Sequence, residues 1–317
     1  MESNNKRFSL KEINGRPLRL LIGGSPCTHW SIAQKNNRET KPEGLGWELF
    51  ENYLIAKEKF KPDFFLYENN KSAAQPIKNQ ISYELGTKLQ YINSALVSAQ
   101  NRQRFYAHNI PEVEPPEDRK IYLCDIFIDE DFADYNGGKF ERTKPDLDVN
   151  YDGSWQIGKT GKSGGQAVRV YDLKGKSVTL KSQAGGGGGK TGLYLVDGIV
   201  KSLSRYGCEK LQTLPRDYTC GVSSDKAISA LGNGWTAEVI IHILSYIDIP
   251  KDYPIEVLSM YDGIATGRYC LERLGYKNIT YKAYEIDEYV KKIAMKNYPD
   301  IIQCGDAYQV REEKWKY

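Results

Sequence analysis

Two segments near opposite ends of the chain each run from a short apolar stretch through a glycine-bearing turn, and together they restrict the fold to an α/β class. The first is Leu18-Arg19-Leu20-Leu21-Ile22 entering Gly23-Gly24-Ser25-Pro26-Cys27. The second is Ile255-Glu256-Val257-Leu258-Ser259 entering Asp262-Gly263-x-x-x-Gly267. Around them, strand and helix signals alternate. Trp47 to Phe60 carries Leu49, Phe50, Tyr53, Leu54 and Ala56 at helical spacing and is stopped by Pro62 before the strand Phe64 to Tyr67. Weaker strands are predicted near Leu89 to Ile92 and Arg104 to Ala107, and helices over Cys208 to Leu214 and Asp225 to Ile247. Strand Thr280 to Tyr284, helix Asp287 to Asn297 and strand Ile301 to Gln303 complete a β-α-β-α-β run after the connector Pro250 to Pro254.

The texture changes from about Pro111. Pro115-Pro116, Gly137-Gly138, Gly164-Gly165 and the run Gly185 to Gly189 accompany short strand candidates at Val168 to Tyr171 and Ser177 to Leu180. These predict a separate, smaller, Gly-rich and β-leaning module. The glycine run reads either as a flexible linker or as a loop whose backbone approaches a ligand closely.

With 317 residues, 40% of them apolar, the chain can bury a core for one large and one smaller domain, which excludes global disorder. A net charge of +3 restricts any nucleic-acid surface to a local basic patch. Six cysteines without a Cys-x-x-Cys pair read as reduced thiols of an intracellular protein, and three histidines argue against a metal site. Met1 to Asn14 is polar, and no stretch reaches the roughly 18 apolar residues of a membrane span. No membrane and no metal are therefore expected.

In the late segment, glycine lets the backbone approach a nucleotide-like ligand at a helix N-terminus. Tyr284-Glu285-Ile286-Asp287 ends the next strand about 20 residues on, where a carboxylate can take ribose hydroxyls, and Gly305-Asp306 ends the third. Three consecutive strand ends point to a nucleoside-bearing cofactor. Taken singly, Glu285 is a solvated strand end, Cys27 a small buried apolar residue, and Arg102 with Arg104 one face of a strand.

The motifs taken together resemble the cytosine-5 DNA methyltransferases. Gly23-Gly24-Ser25-Pro26-Cys27-x-x-Trp30-Ser31 is similar to their Pro-Cys nucleophile loop. Glu68-Asn69-Asn70 is similar to their Glu-Asn-Val, with Asn70 departing from it in a way expected to affect packing more than chemistry. Gln100-Asn101-Arg102-Gln103-Arg104 is similar to their Gln-x-Arg-x-Arg. Tyr261 to Gly267 resembles the loop for S-adenosylmethionine (SAM), with Tyr261 for the usual Phe and Ala265 for the second Gly. Glu209 to Pro215 and Ala230 to Thr236 resemble the ninth and tenth motifs. The usual order is rotated, with the catalytic half first and the SAM half last, so the resemblance is to a circularly permuted member like those of phages and mobile elements.

This resemblance implies a Rossmann-like, mostly parallel mixed sheet with helices on both faces, plus a target-recognition domain. It divides the chain into residues 1–110 (catalytic half), 111–200 (target recognition) and 201–317 (the remainder with the SAM half). Implied catalytic residues are Cys27, Glu68, Arg102 and Arg104. Implied cofactor contacts are Tyr261, Asp262, Gly263, Ile264, Ala265, Thr266, Gly267, Glu285, Ile286, Asp306, Asn233 and Trp235. Ser31, Gln100, Arg102, Lys181, Gly186, Gly187 and Lys190 would contact DNA, with Lys174 and Lys176 as further phosphate candidates. Double-stranded DNA is the implied partner and SAM the cofactor. A monomer is expected, since one chain carries the whole site, in the cytoplasm of a bacterial or phage-infected cell.

The implied reaction is methyl transfer to C5 of a flipped cytosine, with Cys27 adding to C6 and Glu68 holding N3 and the exocyclic amine. Two alternatives stand beside it: a transfer-RNA cytosine-5 methyltransferase, and a catalytically silent DNA-binding protein on the same fold. The sizeable Gly-rich module favours DNA over transfer RNA, and the intact Cys27, Glu68, Arg102 and Arg104 argue for catalysis.

Overall fold

The computed structural model describes residues 15–32 and 38–317; the polar Met1–Asn14 segment lies outside the described residues. In chain order the elements are β1 (Leu18–Gly23), α1 (Leu45–Phe60), β2 (Phe64–Asn70), α2 (Gln75–Leu85), β3 (Gln90–Asn93), β4 (Gln103–His108), α3 (Leu123–Ile126) and β5 (Phe132–Asp134). There follow β6 (Glu141–Arg142), β7 (Gln156–Lys159), β8 (Arg169–Tyr171), β9 (Leu193–Val196), β10 (Ile199–Leu203), α4 (Arg205–Leu211), α5 (Ser224–Asn233) and α6 (Ala237–Leu244). The last are β11 (Ile255–Met260), α7 (Thr266–Arg273), β12 (Ile279–Tyr284), α8 (Glu288–Asn297) and β13 (Ile302–Gly305).

Seven strands form one sheet in the order β13-β12-β11-β1-β2-β4-β3. Neighbours from β13 through β2 are parallel, and β4 is antiparallel to both β2 and β3. β1 lies at the centre because it is apolar on both faces. Leu18, Leu20 and Ile22 enter one core and Leu21 the other. α1 and α2 cover the Leu21 face with Phe50, Tyr53, Phe60, Ile77 and Ile81. Ile240 and Ile243 of α6, Leu271 of α7 and Ile293 of α8 cover the opposite face. The expected α/β sheet with helices on both sides is what forms.

From the β1–β11 pair the chain steps outward in both directions, through β12 and β13 on one side and β2 on the other. In open α/β sheets, the crevice beyond the strand C-termini at such a reversal is where ligands bind. Register sharpens this. Gly23 pairs with both Met260 and Tyr67, and Met260 pairs with Tyr284. β1, β11 and β12 therefore end level while β2 runs three residues further, so that the Cys27 turn, the Asp262-Gly263 loop and Glu285 leave the sheet beside Glu68 on the end of β2.

The rotated motif order costs little in this geometry. The Leu18 N–H donates to the Pro254 carbonyl at 2.9 Å, and the Tyr253 hydroxyl donates to the Arg16 carbonyl at 2.8 Å. The connector thus delivers β11 directly beside β1. The Arg19 guanidinium lies 5.0 Å from the Tyr317 ring centroid, so the end of the chain also returns to the start of β1.

A second sheet has the order β5-β10-β9-β8-β7-β6, parallel only at β8–β9, around Ile157, Val170 and Leu193. Ser177 to Leu180 does not form the expected strand. Ser177 makes one isolated bridge to Gln100, and the Leu180 N–H goes to the Gln100 side-chain oxygen at 3.1 Å. The glycine run does not read as a flexible linker, because members of it are held against their neighbours. A Cβ at Gly187 would lie 2.4 Å from the Tyr135 ring, at Gly188 2.6 Å from Leu193, and at Gly189 2.3 Å from the Gly185 carbonyl. These glycines pack against the module's own atoms.

The helix expected over Asp225 to Ile247 is two helices, broken between Asn233 and Ala237. Side chains of Arg102 and Gln212 occupy the Gly234 carbonyl, and the Thr236 hydroxyl is bonded to Gln212 and Ser94. Tertiary partners thus replace the helical hydrogen bonds here. As one stretch, Ser224–Leu244 spans 21 residues with a mean hydropathy of 1.2, long and apolar enough to cross a membrane by length and composition. In the fold its apolar side chains enter the core instead. The helix expected from Cys208 begins earlier, at Arg205, where the Ser204 hydroxyl caps the Tyr206 and Gly207 amides. The six cysteines are free thiols.

Candidate active site

The turn carrying Cys27 is built on two glycines that admit no side chain. A Cβ on Gly23 would sit 2.3 Å from the Met260 carbonyl oxygen, and one on Gly24 would sit 2.4 Å from that of Glu68. The following Ser25 is buried, its hydroxyl 2.7 Å from that of Tyr67. Asn69 donates to the Ser25 carbonyl at 3.0 Å and to the Tyr67 hydroxyl at 3.1 Å. Burial pushes the Tyr67 phenol far above its ordinary pKa and keeps it neutral within this network. Cys27 then opens a 3-10 turn whose carbonyl accepts from the Trp30 and Ser31 amides, leaving the thiol half-buried.

Glu68 is 9% exposed, and both carboxylate oxygens are engaged. The Arg104 Nε is 2.9 Å from Oε1, and the Trp235 indole Nε1 donates to Oε2 at 3.0 Å. Arg102 behaves differently from Arg104. It is 2% exposed and donates to the carbonyls of Leu180, Gly232 and Gly234 at 3.2, 3.0 and 2.7 Å. Burial, and then Arg104, push its pKa down to about 9. The expectation that Arg102 faces a phosphate is corrected: its guanidinium is consumed in tying three chain segments together.

The late loop is wound by three residues with positive φ, Tyr261 at 59°, Gly263 at 67° and Ala265 at 62°. For Ala265 that conformation costs about 1–2 kcal/mol. Glu285 holds the loop, with Oε2 accepting from the Gly263 amide at 3.0 Å and Oε1 from the Ile286 and Asp287 amides at 2.8 and 2.9 Å. The hydroxyl that distinguishes Tyr261 from the usual Phe donates to the Leu49 carbonyl at 2.7 Å and accepts from Asn52 at 3.2 Å. Gly267 is a packing glycine, since a Cβ there would lie 2.3 Å from Ile22 Cδ1. Asp262 accepts from the Tyr281 hydroxyl at 2.6 Å through Oδ1, while Oδ2 is buried without a partner. Burial raises its pKa to about 6. Asp306 accepts from the Tyr308 amide at 2.9 Å.

These pieces line one cavity of about 370 Å³. Cys27, Glu68, Arg102, Arg104, Asn233 and Trp235 contribute to it, with Tyr261, Asp262, Gly263, Ile264, Thr266, Glu285, Ile286 and Asp306. Ala265 and Gly267 stand behind this lining. Asp262, Glu285, Asp287 and Asp306 are all among the cavity's lining residues, an acidic set that suits a ligand carrying positive charge and hydroxyls. Among the described residues no group of three or more His, Cys, Asp or Glu side chains is arranged to hold a metal ion.

The profile of C-5 cytosine-specific DNA methylases matches residues 2–248. The chain belongs to this family. The match ends before β11, so the glycine loop, Glu285 and Asp306 lie beyond it, as the rotated motif order requires. Among relatives, the Type II methyltransferase M.HhaI of Haemophilus parahaemolyticus is 25% identical over 256 residues, covering 72% of this chain and 74% of the relative. The orphan methyltransferase M.Rho11sI of Bacillus phage rho11s is 24% identical over 243 residues, covering 56% of this chain and 47% of the relative. The DNA (cytosine-5)-methyltransferase DRM1 of Arabidopsis thaliana is 25% identical over 241 residues, covering 72% and 36%.

Within this methylase fold, two residues expected to contact DNA, Gln100 and Lys176, are buried instead. Gln100 is fully buried, donating to the Leu211 carbonyl and Gln212 side chain at 3.1 and 3.2 Å. Lys176 is buried, its ammonium on the Ala95 and Ile121 carbonyls at 2.9 and 2.6 Å. Lys190 is drawn onto α5 by Asp225 and Ser229 at 2.6 and 2.8 Å, and Lys174 reaches the Asp148 carbonyl at 3.1 Å. Lys181 is half-buried, and desolvation lowers its pKa. Gly186 and Gly187 are exposed in backbone but packed where a side chain would project, and Ser31 follows the Cys27 turn directly. Residues not singled out from sequence include Tyr67 and Asn69, which hold the Cys27 turn, and Tyr218, which donates to the Ile264 carbonyl at 2.9 Å. Asn69 stood inside a recognisable motif; Tyr67 and Tyr218 carried no local signal.

Proposed function

We propose that this methylase transfers a methyl group from SAM to C5 of a cytosine flipped out of duplex DNA into the cavity. The observation that carries the reading is the convergence of Cys27, Glu68 and Arg104 with the glycine loop, Glu285 and Asp306 on one cavity beyond the C-terminal ends of β1, β11 and β12. The residues fit SAM. Gly263 has open space where a Cβ would stand, Glu285 and Asp306 offer acceptors for ribose and adenine, and the lining carboxylates suit a sulfonium and an ammonium. A dinucleotide pyrophosphate would meet repulsion in the same place. When bound, SAM supplies an electrophilic methyl group.

The chain's own groups then act on the base. The Cys27 thiolate forms a bond to C6, and Glu68 holds a proton at N3, so electron density moves to C5. Arg104, fixed on Oε1, orients the Glu68 carboxyl. With the methyl group on C5, release of the C5 proton to solvent and cleavage of the Cys27–C6 bond restore the aromatic ring as 5-methylcytosine and return the thiolate. A base stacked inside a duplex cannot reach Cys27, so the target leaves the stack at a cost of a few kcal/mol. The six-stranded module, whose strands run from Phe132 to Leu203 and so pass the expected boundary at residue 200, is the candidate reader of flanking sequence.

The test is expression in a host without cytosine methylation, with base-resolution mapping of 5-methylcytosine in its DNA and Cys27→Ala as control. A short methylated motif that disappears in the control is expected. Modification confined to RNA would instead select the transfer-RNA reading.

A further inference from the structure

Glu68 presents one carboxylate oxygen to Arg104 and the other to Trp235. Trp235 also lines the cavity where the cofactor loop ends, so one indole ring touches both the ligand space and the acid. Its placement is fixed from both sides along the chain. The preceding Gly234 carbonyl accepts from Arg102 at 2.7 Å and from Gln212 at 3.1 Å. The following Thr236 hydroxyl lies 2.9 Å from the Gln212 side-chain oxygen and 2.8 Å from the Ser94 hydroxyl. Arg102, Gln212 and Thr236 are all nearly inaccessible to solvent, so this clamp is part of the core.

A donor held this firmly fixes the orientation of its acceptor at no further ordering cost. On the Glu68 side there is little freedom either, because Oε2 lies 3.2 Å from the Cβ position of Gly24, in the turn that carries Cys27. We propose that Trp235 is a positioning residue for Glu68, its indole N–H aiming the carboxyl at the base beside Cys27, and that the buried Arg102 serves this same end by holding the Gly232–Gly234 segment. The inference rests on the proposed methyl transfer to cytosine. It gives Trp235 a task besides cofactor contact, and gives Arg102 one that does not involve phosphate.

The experiment compares Trp235→Phe, which keeps an aromatic ring but loses the N–H, with the wild-type full chain on unmethylated duplex DNA. Loss of a hydrogen bond to a charged group corresponds to a fall in kcat of about 10- to 100-fold. KM for DNA and Kd for SAM, the latter measured by calorimetry with SAM alone, are expected to change much less than kcat, because most of the apolar contact is kept. In a Glu68→Gln background the same substitution should change kcat much less, since the two residues act as a unit. An unchanged kcat in Trp235→Phe, a loss of SAM affinity as large as the loss in kcat, or full additivity with Glu68→Gln overturns the proposal. Wild-type protein that methylates no cytosine overturns the functional reading itself, which separates the two failures.

Discussion

Gly24 stands directly over Glu68: a Cβ at Gly24 would lie 2.4 Å from the Glu68 carbonyl oxygen and 3.2 Å from its Oε2. The turn that carries Cys27 and the strand that carries Glu68 therefore touch through a position where only hydrogen fits. Their separation is set by backbone contact, not by flexible side chains.

Gly24→Ala should accordingly damage both stability and chemistry. Overpacking of this kind costs about 1–3 kcal/mol, and the displaced Cys27 turn should lower kcat by at least about tenfold. Denaturant unfolding and single-turnover methylation on one preparation check this. Wild-type values in both would mean that the turn yields freely.

Glu285→Ala should weaken SAM binding by about 1–3 kcal/mol, the range for a lost hydrogen bond to a charged group. The carboxylate also holds the Gly263, Ile286 and Asp287 amides, so part of the loss would come from loosening the loop. Calorimetric titration with SAM gives the value. Unchanged affinity would remove Glu285 from the cofactor site.

Asp262 makes a pH-dependent contribution whose sign is opposite to that of a paired carboxylate. Its pKa is raised by burial to about 6, so the folded state holds the proton more tightly than the unfolded chain. Stability from this group is full below the unfolded value of about 4 and is lost as pH rises through the folded value, by about 3 kcal/mol in all. Asp262→Asn should match wild type near pH 4 and exceed it above pH 6, as measured by urea unfolding across that interval. Parallel stability curves for the two proteins would show that the buried carboxylate does not titrate as its surroundings require.

Lys176→Met separates a core role from a phosphate contact. Its ammonium satisfies the Ala95 and Ile121 carbonyls, so removal should cost about 1–3 kcal/mol of stability. The dependence of DNA affinity on salt should not change, whereas deletion of a phosphate contact lowers the log–log slope by about 0.9. A reduced slope with intact stability would return Lys176 to the DNA surface.

The α/β units were legible because each is local: apolar runs such as Leu18–Ile22 end in glycine turns, and capping and helical spacing follow within a few residues. The same locality exposed Cys27, Glu68 and the Tyr261–Gly267 loop. The break between α5 and α6 was not legible. Asp225 to Ile247 keeps helical apolar spacing, and the groups that interrupt it, Arg102, Gln212 and Ser94, are far away along the chain. Ser177–Leu180 failed for the same reason, its hydrogen bonds going to Ala99, Asn101 and the Gln100 side chain rather than to a strand of the module.

The sequence by itself determined the methylase family, the α/β class and the rotated order of its two halves, because glycine turns, strand ends and the Pro-Cys step are written in consecutive residues. Only the tertiary structure decided which polar side chains face the cavity. Arg102 and Arg104 are two residues apart, one just before β4 and the other in it. One is spent on three buried carbonyls and the other on Glu68. A side chain's exposure is fixed by what packs over it, and for Arg102 that cover comes from Leu180, Gly232 and Gly234, more than seventy positions away along the chain.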